Sequence, residues 1–342
     1  MSNEINKNTN GSNKNNNSKE TSAKGSIPKT GRIVGGKESF GRFDFVGKIG
    51  IFGSVSLVLV VGFLIYLAVR GVTYGIDFAG GTELQVKFAQ KVEMSSLREF
   101  VEKQDLRNVH VQGIGEESEF IVRFQSAVGK DDKETNDLQN LQVSKLKENI
   151  NTQFTASQPE FRRVDSVGPQ VGAELKRNGF LSIFYCLLVI LIYVGLRFDY
   201  KYAPGAVICL FHDAVITLGI FVLVGKEVNI PILAAILTLM GYSLNDTIVV
   251  FDRIRETEHE HADRGIKFII NKAINDMMER TIITSGTVFV SSICLYIFAG
   301  GTISDIAFAI CVGIIFGTYS SIYVAAPFII FTEKLNLIKV RG

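Results

Sequence analysis

Hydrophobic residues in this chain come in long blocks. Windows of about 19 residues that stay apolar fall at residues 49–69, 180–196, 203–224, 228–251, 282–299 and 306–331. Each is long enough as a helix to cross a hydrocarbon core about 30 Å thick. The pattern predicts a polytopic α-helical membrane protein with six transmembrane helices.

Between the first two blocks the pattern changes to that of a small soluble domain, residues 71–179. Alternation at Leu84, Val86 and Phe88 predicts a strand over 82–88. Residues 95–103 read as a short helix with Ser95 as its N-cap. Short strands over 109–113 and 119–124 follow, with Gly113 and Gly115 in the turn. Leu138, Leu141, Leu146 and Ile150 have helical spacing within 135–154, and 161–167 closes as a strand. The order β-α-β-β-α-β is that of a ferredoxin-like α+β domain. It holds no catalytic triad or metal cluster, so recognition or mechanical contact is its expected role.

Residues 1–30 are rich in Asn, Ser, Lys and Gly and are expected to be a disordered tail. Gly31, Gly36 and Lys37 imitate part of a phosphate-binding loop, but Glu38 stands where a Ser or Thr must hold the metal ion. A plain linker is the better reading. Residues 252–280 are expected to be a cytoplasmic loop of helical spacing, and 332–342 a C-terminal tail. The stripe of Ile266, Ile269, Ile270, Ala273, Ile274, Met277 and Met278 in that loop suits packing on the protein's own base better than on lipid.

Charge adds orientation. The net charge of +2 says little about partners, and no nucleic-acid partner is expected. Its distribution is one-sided, with Arg197, Lys201, Arg253, Arg255, Arg264, Lys267, Lys272, Arg280, Lys334, Lys339 and Arg341 on one side of the six blocks. The short opposite loops hold only Lys226. The positive-inside rule puts both termini in the cytoplasm and residues 71–179 outside. The first apolar block acts as a signal anchor. Cys186, Cys209, Cys294 and Cys311 all lie in apolar blocks and read as small core residues. His259, Glu260 and His261 are too close in sequence to align as metal ligands on a helix, so no metal or cofactor is expected.

The candidate chemistry lies in polar islands inside the apolar blocks. Asp246 is the sharpest, because an ionisable residue in a span costs a few kcal/mol and marks ion pathways or proton relays. Thr238, Tyr242, Asp246 and Arg253 share one helical face, with Asn245 beside it. In the next block Arg280, Thr284, Thr287 and Ser291 share another. Two such stripes on neighbouring helices are expected to meet inside the bundle, bringing Asp246 to Arg280. His212 and Asp213 form a second island, but adjacent positions point about 100° apart and are not expected to serve one site. Ala309, Gly313, Gly317, Ser321 and Ala325 place a small residue every four positions, which predicts close approach of another helix.

Several longer motifs resemble a known family. Residues Gly241 to Glu256, with the run Tyr242-Ser243-Leu244-Asn245-Asp246-Thr247 at their start, resemble the fourth-span signature of the SecF protein-export membrane proteins. Arg280 to Thr287 resembles the start of the fifth span. Gly75-Ile76-Asp77-Phe78-Ala79-Gly80-Gly81-Thr82 resembles the motif opening the outer domain, and Ser166 to Gly172 the one closing it. The resemblance covers about residues 40–340. It implies an accessory subunit of the Sec translocase in the bacterial inner membrane, partnered by SecD, the SecYEG translocon, translocating preproteins and membrane lipid. The family resembles the resistance-nodulation-division transporters, in which proton flow moves outer domains. The residues matching Asp246 and Arg280 are there implicated in proton conduction, and Asn245, Tyr242 and Thr284 lie beside them.

Other classes fit less well. A small-molecule exporter predicts a second six-span half. An intramembrane aspartyl protease using Asp213 and Asp246 needs a Gly-x-Gly-Asp arrangement, which is missing from the blocks. A static subunit, with Asp246 and Arg280 as a fixed pair, is separated from a proton-coupled one only by mutation.

Overall fold

The computed structural model describes residues 33–34, 37–38, 43–114, 118–125, 129, 131–198 and 202–334. The expected tails at 1–30 and 335–342, and Gly31, Gly36 and Gly115, lie outside them. Two compact units divide at residue 39. In the first, β1 (Ile33–Val34) and β2 (Lys37–Glu38) form a minimal antiparallel pair.

The second unit holds everything else. Helix α1 (Ile49–Arg70) leads to a four-residue turn of helix, α2 (Ile76–Ala79). The outer domain follows as β3 (Gly81–Phe88), α3 (Met94–Glu102), β4 (Arg107–Gly113), β5 (Glu119–Gln125), α4 (Asp132–Gln153) and β6 (Pro159–Val167). Strand order is β4-β5-β3-β6, with all three pairings antiparallel. That order makes β3 and β4 parallel with β5 between them, the split βαβ of a ferredoxin-like sheet. Leu84, Val86 and Phe88 point from β3 into a core with Leu97, Val101, Val122, Phe124, Leu146 and Ile150. Ser95 does not cap α3: the cap position is Glu93, and the Ser95 hydroxyl turns back to the Glu93 carboxylate at 3.3 Å.

The remaining spans are α5 (Pro169–Arg197), α6 (Ala203–Leu223), α7 (Ile230–Glu260), α8 (Ile266–Phe298) and α9 (Gly301–Ser320). A π turn over Ser321–Ala325 joins α9 to α10 (Ala326–Lys334). Among the described residues six helices, counting α9 with its continuation, are long and apolar enough to cross a membrane. The chain is a multi-pass membrane protein.

One expectation needs correction here. Residues 252–280 do not form a loop helix of their own; α7 and α8 run past the apolar blocks and only 261–265 connect them. Helix propagation is favourable once a nucleus exists, so polar, good helix-forming sequence simply extends the spans. The apolar stripe on α8 is also assigned: Ile269, Ile270, Ala273 and Ile274 are buried against Phe251 and Ile254 of α7 and Ile329 of α10. The small-residue stripe of α9 has its partner within the chain. A Cβ on Gly313 would overlap the Leu239 side chain, and one on Gly317 would sit 3.3 Å from the Ser243 Cβ, both on α7.

Candidate functional site

The two outer-domain motifs form one junction. Gly80 and Gly81 have φ of +73° and +146°, which L side chains rarely adopt. A Cβ on Gly80 would lie 2.9 Å from Pro169 Cα, and one on Gly81 would lie 2.7 Å from the Phe124 carbonyl oxygen. Glycine is required twice. The opening motif thus rests on the start of α5. It also holds the start of α7: the Asp77 carboxylate accepts from the Ile230 amide at 3.0 Å, and the Gly75 amide donates to the Val228 carbonyl at 2.9 Å. Anions at a helix N-terminus are favoured by the unpaired amides and the dipole. Asp77 therefore ties the outer domain to the helix that carries Asp246.

A second tie is ionic. Arg123 on β5 bonds Glu83 at 2.7 Å and Glu227, in the α6–α7 connection, at 3.0 Å. Burial alone would lower the Arg123 pKa, but the two carboxylates outweigh it and hold the guanidinium above its ordinary value. Lys226 pairs with Asp305 in the same region.

Within the spans, Asp246 is 9% exposed. It lines a cavity of about 300 Å³ with Tyr242, Ser243, Asn245, Thr284, Ser285, Thr287, Gly313, Gly317 and Thr318. The Asp246 Oδ2 accepts from the Ser285 hydroxyl at 2.8 Å. Thr284 and Thr287 line the wall but turn their hydroxyls to carbonyls of their own helix. Tyr242, Asn245 and Thr284 are exposed on the chain's outer face, so the cavity opens sideways from the bundle.

Arg280 is not the partner of Asp246. No ion pair within 4.0 Å joins them among the described residues, and Arg280 acts only as a nearby charge. Arg280 precedes Ser285 by five residues, about 7.5 Å along the helix axis. It is exposed and lines a different cavity of about 380 Å³, with Tyr193, Arg197, Asp252, Arg253 and Glu256. Long cationic side chains near a span's end reach for the aqueous side. Arg253 also leaves the Asp246 face, gripping Asp276 of α8 at 2.6 Å and Glu256 at 2.7 Å.

His212 and Asp213, expected to diverge, converge. The His212 Nδ1 lies 2.8 Å from the Asp213 Oδ1, and both residues are buried. Asp213 Oδ2 also accepts from the hydroxyls of Ser243 and Ser320, at 2.5 and 2.8 Å. The 100° rule separates Cβ directions, while the side-chain tips are free to fold back on one another. Sequence reasoning missed Ser285, Ser243 and Ser320, because a lone serine in an apolar helix carries no signal. Their spacing was the only clue: Ser243 is three residues before Asp246 on α7. No group of three or more potential metal ligands occurs among the described residues.

Comparison with known proteins then decides the family. Residues 146–335, more than half of the chain, match the model for the C-terminal region of protein export membrane protein SecD/SecF. The chain belongs to the SecD/SecF family. Residues 65–92 match the SecD/SecF GG motif, which contains the paired Gly80 and Gly81. The protein translocase subunit SecF of Calditerrivibrio nitroreducens is 39% identical over 299 residues, covering 86% of this chain and 95% of the relative. The subunit of the same name from Desulfurispirillum indicum is 41% identical over 281 residues, covering 81% and 88%. The crystal structure of SecDF, a translocon-associated membrane protein from Thermus, superposes with a TM-score of 0.73 at 32% identity. The match covers 86% of this chain but 39% of that one. By this relationship the chain is a SecF-type translocase subunit.

Proposed function

We propose that the chain couples proton movement across the bacterial inner membrane to late steps of preprotein translocation, together with SecD. The observation that carries this reading is the setting of Asp246. It is a buried carboxyl in a span, facing a cavity, held by one hydroxyl and locked to no cation. Such a group gains and loses a proton without breaking an ion pair. Moving each charge through the field is worth about 2.3 kcal/mol per 100 mV. The ties at Asp77 and Arg123 give α7 a direct mechanical connection to the outer domain. A static subunit is the alternative, but it rested on a fixed Asp246–Arg280 pair.

The open side of the cavity is where SecD is expected to close over Tyr242, Asn245 and Thr284, as the longer SecDF relative suggests. The SecYEG translocon and the emerging preprotein then contact the complex from outside, with both termini cytoplasmic. Lipid covers the apolar faces of α1 and α5. The test is Asp246→Asn, measured as proton-gradient-stimulated secretion in membranes holding equal amounts of each variant. Stimulation is expected to vanish. Undiminished stimulation overturns the proposal.

A further inference from the structure

We propose that Asp213 and His212 form a second proton-holding station, joined to the Asp246 cavity through the hydroxyl of Ser243. The inference rests on the proton-coupled reading of Asp246.

Three features point to it. First, Asp213 is fully buried and bonded by groups from three helices: His212 on its own helix, Ser243 on α7 and Ser320 on α9. The titratable groups around it are His212, Cys209 at 3.9 Å, and Tyr319, which stacks on the imidazole with centroids 6.2 Å apart. Neighbouring α7 contributes Ser243 and Thr247, and α1 contributes Ser56 through the Tyr319 hydroxyl. No Lys or Arg pairs with Asp213 among the described residues. A lone ionised carboxylate in such a place is costly.

Second, the buried Nε2 of His212 has no hydrogen-bond partner. Buried polar atoms are nearly always satisfied, and an exception calls for a reason. A nitrogen that exchanges a proton supplies one.

Third, the wall between the two aspartates is thin. Ser243 lines the cavity and bonds Asp213. Gly317 lines it too, and a Cβ there would lie 3.6 Å from the Ser243 Oγ and 3.7 Å from the Asp213 Oδ2. Glycine leaves that opening clear. The π turn at Ser321–Ala325 follows Ser320 directly, and such turns recur at functional sites.

In the transfer, the proton leaves the Asp246 carboxyl, crosses the cavity and binds the Ser243 Oγ. The hydroxyl proton that Ser243 already held passes to the Asp213 Oδ2. One O–H bond breaks as each new one forms, and the negative charge moves from Asp213 to Asp246.

The test uses the full chain reconstituted in lipid vesicles with its co-purified partners. Infrared difference spectra of Asp246→Asn are expected to keep a protonated-carboxyl band that responds to pH, and adding Asp213→Asn should remove it. If the double variant does not fold, His212→Gln must shift the same band. A missing band, or one that His212→Gln leaves unmoved, overturns the station. Gradient-driven proton uptake should fall on the order of a hundredfold in Ser243→Ala, the low end for losing a positioned proton-transfer group. Ser243→Thr should restore it. Native uptake in Ser243→Ala, or a loss that Ser243→Thr leaves unrestored, overturns the link. Secretion that stays stimulated in Asp246→Asn defeats the underlying proton-coupled reading. Loss of stimulation there without an Asp213 band defeats this inference alone.

Discussion

Asp213 and Asp246 are both buried carboxyls in apolar helices, and Ser243 stands beside each, yet their surroundings differ. Asp213 is sealed, with bonds to groups on three helices and no cavity of its own. Asp246 has a single side-chain donor, Ser285, and faces about 300 Å³ of space. The first arrangement pins α6, α7 and α9 together; the second leaves a carboxyl facing open space. Burial alone therefore does not tell a carboxyl sealed among fixed donors from one that faces open space.

The largest stability effect should come from the sealed side. Asp213→Ala leaves His212, Ser243 and Ser320 without their acceptor, and each orphaned buried donor costs about 1–3 kcal/mol. Ser320 also reaches the Gly317 carbonyl at 3.0 Å, so a total loss of about 3 kcal/mol is expected. Asp246→Asn should lose under about 1 kcal/mol, because water replaces what the carboxylate gives up. The chain has no Trp, so unfolding is best followed by thermal exposure of the buried Cys209 to a thiol-reactive dye. Equal losses for the two variants would erase the distinction.

Ser285→Ala comes next. It removes the Asp246 donor, yet the cavity admits a substitute, so about 1 kcal/mol is expected rather than the roughly 1.5–3 kcal/mol typical of a bond to a charged group. The same dye assay measures it, with Ser285→Thr as the variant that keeps the hydroxyl. A loss above that range would mean that the cavity is dry.

Much of this was legible in the sequence. Hydropathy located the spans because lipid allows few polar residues on a helix, and period-2 alternation located β3 because one of its faces is buried. Asp246, Asn245, Tyr242 and Thr284 were legible because polar residues in a span need a reason, and they do line one cavity. The ends of α7 and α8 were not, since hydropathy reports where lipid ends and says nothing of where a helix ends. Helical-wheel spacing brought Asp246 to Arg280, but it reports angle and ignores height along the axis. The His212–Asp213 contact and the serines that complete it depend on side-chain tips, which no spacing rule sees.

Arg280→Gln gives the smallest stability change and settles what that arginine does for Asp246. Were the two locked together, removing the cation would strand a buried charge and cost about 3–5 kcal/mol. They share no ion pair within 4.0 Å, and Arg280 lies exposed beside the second cavity, with Asp252 and Arg253. Its loss should stay within about 0.5 kcal/mol of native in the dye assay, as for a surface position. Gradient-stimulated secretion should still fall, because the guanidinium charge reaches Asp246 through space without touching it. Loss of both stability and secretion would restore the fixed pair, and loss of neither would leave Asp246 to work without this cation.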